Sequence, residues 1–215
     1  MFVLKSRKEG SCLKIEIREL CRQDYAQAIQ FASTGMHFSI YFKSQFMLHA
    51  YSRYFWYSEL NRSTQMLAAC VDGRFEGVLL AEVNGEKRKH SCWYEKLYVI
   101  VFELLQRVVS RNGAGLYENT VKIQRAHYLK TTKADGEILF LAADPDCQAH
   151  GIGTALLQEL ERREKGKTIY LVTDDECTWQ FYECRGFQRM EEQDIVMDMP
   201  IGKVPLKCLL YSKIM

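Results

Sequence analysis

The chain has 215 residues, 47% hydrophobic and 26% charged, and its 29 Lys+Arg against 27 Asp+Glu leave a formal net charge of +2. That balance argues against the broad basic face of a nucleic-acid binder, and the hydrophobic content argues against a disordered chain. The length, with only 3 prolines and 13 glycines, points to a single domain over 1–215 without a long flexible linker.

Met1–Cys12 has no continuous apolar core and does not read as a secretory signal. The most apolar run, Leu97–Val109, carries Glu103, Gln106 and Arg107, and it is shorter than the roughly 20 apolar residues of a membrane span. It reads instead as a helix buried against the domain or a second subunit, so a homodimer is expected and a membrane partner is not. None of the 8 cysteines is spaced as Cys-x-x-Cys. Neither a zinc site nor a redox pair is indicated, and reduced thiols in a cytoplasmic protein are expected.

Leu13, Ile15 and Ile17 alternate with charged residues, as in a half-buried strand. Asp24 stands where it would cap a helix over Tyr25–Ala32, and a second helix is expected from Ser44 to Leu60. Aromatic residues crowd 31–57. Gln65–Val71 and Phe75–Val83 form a hairpin around Asp72-Gly73-Arg74. Residues 84–136 hold the apolar helix and Tyr117–Leu129, which suits helix or strand; they are expected to elaborate the domain.

The C-terminal third is more regular. Ile138–Ala143 and Thr168–Thr173 are continuous apolar strands, separated by an amphipathic helix over Thr154–Lys165. Thr178–Arg185 is a short helix ended by Gly186, and strands from Phe187 and over Leu206–Lys213 close the chain. Strand, crossover helix and strand make parallel neighbours, so the class is α/β or mixed α+β.

Between the first of these strands and its helix lies Asp144-Pro-Asp-Cys-Gln-Ala-His-Gly-Ile-Gly-Thr154. A glycine-bearing turn at a helix N-terminus presents unpaired amides to an anionic phosphate. A Walker loop would need a lysine after Gly153. A dinucleotide fingerprint would need a small residue at 156, where Leu156 stands. A glycine-rich turn without a ligand is the remaining alternative on the loop alone.

Asp144-Pro-x-x-Gln148-x-x-Gly151-x-Gly153-Thr154 after an apolar strand, followed by Phe181-Tyr182-Glu183-x-x-Gly186-Phe187, resembles the GNAT N-acetyltransferase superfamily. The likeness covers 13–83 and 137–213 and leaves 84–136 unmatched. It implies a mixed sheet splayed open and flanked by helices, a helical insertion near 84–136, and acetyl-coenzyme A as co-substrate, with no metal. Main-chain groups of Leu141, Ala142 and Ala143 would pair with pantetheine. Amides of Gln148, Ala149, His150, Gly151, Ile152, Gly153 and Thr154 would hold pyrophosphate. Asp175 stands where the family commonly has an asparagine on the pantetheine arm.

The reaction the resemblance implies is attack of a small-molecule or peptide amine on the thioester. It needs a neutral amine, a polarised carbonyl and a proton for the leaving thiolate. Tyr182 is the candidate acid. Glu137 is the candidate base, with Glu82 behind it. A non-catalytic acyl-coenzyme A sensor on the same fold is the alternative function.

Overall fold

Among the described residues the chain forms eight strands and six α-helices. In order they are β1 (Val3–Lys8), β2 (Ser11–Glu19), α1 (Tyr25–Gly35), α2 (Gln45–Arg62), β3 (Gln65–Val71), β4 (Arg74–Val83), α3 (Trp93–Val109) and α4 (Ala114–Thr131). Then follow β5 (Gly136–Ala143), α5 (Ile152–Arg163), β6 (Thr168–Asp174), α6 (Gln180–Glu183), β7 (Gln188–Met199) and β8 (Gly202–Ile214). The computed structural model describes residues 3–8, 11–36, 38–40, 42, 44–109, 114–199 and 202–215. All strands belong to one sheet in the order β1-β2-β3-β4-β5-β6-β8-β7, and every pair but β5–β6 is antiparallel. The class is therefore mixed α+β, with an open sheet flanked by helices, as expected.

Period-two patterning decides which face of the sheet each helix covers. Ile15, Ile17, Leu67 and Leu79 point to one side, where α5 lays down Leu156, Leu157 and Leu160. Ala68 and Leu80 point to the other, under Ala28 and Phe31 of α1 and Trp56 and Leu60 of α2. With both faces covered, β3 is buried along its whole length. That is why Gln65–Val71 reads as an apolar run rather than an alternation. The β3–β4 turn uses positive φ at Asp72 (48°) and Gly73 (82°), as a two-residue hairpin requires.

Several expectations are corrected. Asp24 does not cap α1: its carboxylate accepts two hydrogen bonds from the Arg18 guanidinium (2.7 and 2.8 Å) and one from the Cys21 amide (2.8 Å). Burial alone would push that carboxyl up, but these donors outweigh it and hold it below the usual carboxylate range. Tyr117–Leu129 lies within the helix α4. The strand β1 was not expected; it pairs with β2 from Val3↔Glu16 to Lys8↔Ser11.

The apolar helix packs on its own domain along one side only, so of the two expected coverings the domain supplies only part. In the single chain α3 turns Phe102 inward, stacked on Tyr54 with ring centroids 4.6 Å apart, and Tyr98 donates to the carbonyl of Ala50 at 3.0 Å. Leu97, Ile100, Val101, Leu104 and Leu105 are exposed. By contrast α4 is tied firmly to the far strands. Gln124 donates to the Cys208 carbonyl at 3.1 Å, Tyr128 to the Ser212 hydroxyl at 2.6 Å, and Tyr117 and Val121 pack on Ile195 and Met197.

Candidate active site

The parallel pair β5–β6 is held only at its start, by Gly136↔Ile169, Glu137↔Tyr170 and Ile138↔Leu171. Beyond Ile138 the two strands part. The parting coincides with a bulge on β5: Leu80 faces Phe140 and Ala81 faces Ile138, leaving Leu139 unmatched. A bulge bends its strand and increases local twist, which turns Phe140–Ala143 away from β6. A cavity of about 420 Å³ fills the wedge, lined by Leu139–Asp144, Ala149–Gly153, Leu171–Thr173, Phe181 and Tyr182. Leu141, Ala142 and Ala143 pair with β4 on one side only, so their other edge faces the wedge with free main-chain groups.

The loop that follows is shaped by its own hydrogen bonds. Asp144 accepts from the amides of Asp146 (side chain, 2.9 Å) and Cys147 (carbonyl, 3.2 Å). Gly151 then takes φ 90° as the residue before α5, with no side-chain cap. The first main-chain bond of that helix end is Ala155 to Gly151. The amides of His150, Gly151, Ile152, Gly153 and Thr154 thus have no main-chain acceptor and converge where the helix dipole is positive. A residue other than glycine is strained at the φ of position 151. Gly153 has a different role: a Cβ there would come within 3.2 Å of the Phe181 ring. It is small so that α6 can approach α5, and only indirectly so that phosphate can approach the loop.

Sequence reasoning missed Arg185. Its guanidinium lies 3.7 Å over the Phe181 ring, donates to the Phe181 carbonyl at 2.8 Å, and donates through two nitrogens to the Thr154 hydroxyl. A fixed cation therefore stands beside the amide cluster. Arg185 occupies an unspecified position inside the Phe-Tyr-x-x-x-Gly-Phe motif, so only the fold reveals it.

Tyr182 lines the wedge, half-buried between Phe181 and Phe187 (5.2 and 5.7 Å between ring centroids). Its hydroxyl has no hydrogen-bond partner among the described residues. Burial, and secondarily the neighbouring Cys177, pushes the phenol well above its ordinary value, so it stays protonated. Asp175 falls elsewhere: it is exposed, absent from the cavity lining, and accepts from the Lys207 amide at 2.7 Å while its own amide donates to the Lys207 carbonyl. It fastens β8 to the end of β6. Gln148 and Thr154 also lie outside the cavity wall, Thr154 being held through Arg185.

Across the wedge is a second chamber of about 840 Å³, which shares Met36, Ile138, Leu139 and Val172 with the first. Phe38, Tyr51, Tyr54 and Phe55 from the aromatic stretch form one wall, and Tyr117, Glu118, Val121, Lys122 and Arg125 of α4 form another. The insertion thus helps build the chamber. Glu137 reaches it, but Arg62 (2.7 Å), Arg125 (2.5 Å) and Tyr170 (3.1 Å) all donate to its carboxylate. It has the surroundings of an anchor for two arginines. Glu82 is engaged similarly, by Arg62 at 3.0 Å and Arg88 at 3.7 Å.

Residues 99–189 match the family model of the acetyltransferase (GNAT) domain. That stretch, under half of the chain, is similar to a GNAT acetyltransferase domain. Solved structures place the rest of the chain in the same fold. A polyamine N-acetyltransferase of Drosophila melanogaster, described as forming N-acetylagmatine, has a TM-score of 0.60 at 11% identity, covering 94% of this chain and 100% of that one. An agmatine N-acetyltransferase in its apo form gives 0.56 at 10% identity, with 93% and 99% covered. A ribosomal-protein-alanine N-acetyltransferase of Brucella melitensis gives 0.53 at 15%, again with 93% and 99% covered. At such identities the likeness concerns the fold. Among curated proteins none matches this chain in sequence. No helix among the described residues is long and apolar enough to cross a membrane, and no cluster of three or more metal-ligating side chains occurs among them.

Proposed function

We propose that the protein transfers an acetyl group from acetyl-coenzyme A to the nitrogen of an amine acceptor. The observation that carries this reading is the junction of the two chambers at Ile138, Leu139 and Val172, where the unpaired β5 edge ends. One chamber offers what a pantetheine–pyrophosphate donor needs: a strand edge for the arm's amides, and five free loop amides with Arg185 nearby for the phosphates. The other is large enough for an amine and opens onto the same point.

The chemistry that follows is a direct displacement. The amine nitrogen forms a bond to the acyl carbon as the carbon–sulfur bond breaks. Tyr182 is the group that protonates the departing sulfur: it is protonated at neutral pH, unpartnered, and faces the wedge. Holding two substrates at one junction removes much of the entropic cost of a bimolecular step. Aromatic faces and acidic side chains in the acceptor chamber suit a cationic amine.

The test pairs two measurements. Calorimetry with coenzyme A and acetyl-coenzyme A should show binding, and thiol release should be detected across a panel of aliphatic, aromatic and peptide amines. Binding without thiol release over any acceptor would point to an acyl-coenzyme A sensor instead.

A further inference from the structure

Several acids line the acceptor chamber without a task in the reading above, and Glu59 is the one among them that sits beside the shared arginines. Glu59 lies in the last turn of α2 and lines the chamber wall. Its side chain is 16% exposed, and among the described residues its only carboxylate contact is with Nη1 of Arg62 at 3.4 Å, long for a charge-assisted bond. The charged and titratable groups facing it come from four elements: Tyr54 and Arg62 on α2, Glu82 on β4, Arg125 on α4 and Glu137 on β5. Arg62 and Arg125 are shared among three carboxylates there, with Arg88 adding a longer contact to Glu82, and Glu137 and Glu82 take the closer contacts of Arg62 and Arg125. Glu59 also sits at the negative end of its helix, where a carboxylate is disfavoured.

We propose that Glu59 is the proton acceptor for the incoming amine. The assignment rests on the acetyl-transfer reading above and adds to it the residue that prepares the nucleophile. An ammonium entering the chamber gives one proton to the Glu59 carboxylate. The N–H bond breaks, its electron pair stays on nitrogen, and the neutral amine attacks the acyl carbon. The proton then leaves to solvent through the chamber mouth, while the leaving sulfur is protonated separately by Tyr182. Burial, with the neighbouring Glu137 and Glu82 charges and against the opposing pull of Arg62, pushes the Glu59 carboxyl up to about 7. A base poised near the operating pH is half in its accepting form and still takes a proton readily.

The experiment is the pH profile of kcat and kcat/KM for wild type, Glu59→Gln and Glu59→Asp, on an amine found by thiol release, with coenzyme affinity and melting temperature for each. Wild type should lose activity below about pH 7 as Glu59 protonates. Glu59→Gln should lose that acidic limb and fall roughly 10²–10⁴-fold in kcat, with coenzyme affinity within a few-fold. Glu59→Asp should keep the limb at a reduced rate. A folded Glu59→Gln protein with kcat within a few-fold of wild type, or with the acidic limb intact, overturns the assignment alone. A wild type that binds coenzyme but releases no thiol with any amine overturns the transferase reading and this assignment together.

Discussion

A single methyl group at Gly77 should disturb both the packing and the coenzyme loop. Gly77 faces Ala143 across the β4–β5 ladder, and a Cβ there would lie 2.5 Å from Cγ2 of Ile152 and 3.3 Å from both the Ala142 carbonyl oxygen and Cδ1 of Leu156. Carbon atoms prefer roughly 3.5–4.0 Å, so the start of α5 must retreat by about 1 Å or Ile152 must leave its rotamer. Overpacking of this kind costs about 1–3 kcal/mol, and at about 2–4 °C per kcal/mol for a domain of this size the melting temperature should fall by about 2–12 °C. Ile152 is also in the middle of the five free amides, so a shift there moves the donors themselves. Coenzyme affinity should drop by about tenfold or more, equivalent to about 1.4 kcal/mol. The assay is calorimetric binding of coenzyme A with parallel thermal melts for Gly77→Ala, Ile152→Ala and the double variant. Removing Cγ2 of Ile152 relieves the clash, so the double variant should lose less than the sum of the single losses. A Gly77→Ala protein with unchanged melting temperature and coenzyme affinity would refute the idea that this close approach sets the loop.

Tyr182→Phe keeps the ring between Phe181 and Phe187 and should cut kcat roughly 10²–10⁴-fold with coenzyme affinity nearly unchanged; comparison of single-turnover rates checks it, and a near-normal rate would leave the ring as packing. Arg185→Gln removes the cation beside the amide cluster and should weaken coenzyme A by about three- to tenfold, less so for a truncated pantetheine without phosphates, as binding titrations with both would show. Hydrogen bonds from Arg162 and then Arg163, against the opposing effect of burial, hold the Glu159 carboxyl down at about 2. Its folded value lies below the unfolded value of 4.5, so its contribution is complete above that pH and is lost as pH falls towards 2. Glu159→Gln should therefore cost about 1–2 kcal/mol near neutrality, after screening, and flatten the acid side of a stability-versus-pH curve measured by denaturant melts.

The strand, loop and helix around the wedge were legible because their signals are local. A strand, a glycine turn and an amphipathic helix follow one another within Ile138–Leu160, and Phe181 to Phe187 lie on one short turn. What was not legible depends on distant contacts. Gly153 is explained by the ring of Phe181, and Asp175 by an amide on β8. The splay of β5 from β6 was expected only through the family resemblance, since two continuous apolar strands would by themselves suit full pairing as well as partial. Which face of α3 packs on its own domain was not legible, because a helix apolar on nearly all sides gives no hint of which side is covered. Glu59 and Arg62, three residues apart on a helix, read as an ordinary surface pair, and only the position of α2 beside the chamber distinguishes them.

The helices between β4 and β5 give the molecule a division of labour along the chain. Everything that touches the wedge beyond Met36 and Gly35 comes from the stretch Ile138–Tyr182, whereas the acceptor chamber draws on α2, α4 and the end of β7. Under the proposed transfer, donor and acceptor would thus meet largely separate residues, with Met36, Ile138, Leu139 and Val172 shared. A change on the exposed turns of α4, at Glu118 or Lys122, alters the wall the acceptor meets without disturbing the free amides that would hold the phosphates. Rebuilding that helix would change the second chamber while leaving the wedge lining in place, and a binding measurement made with coenzyme alone would not register the difference.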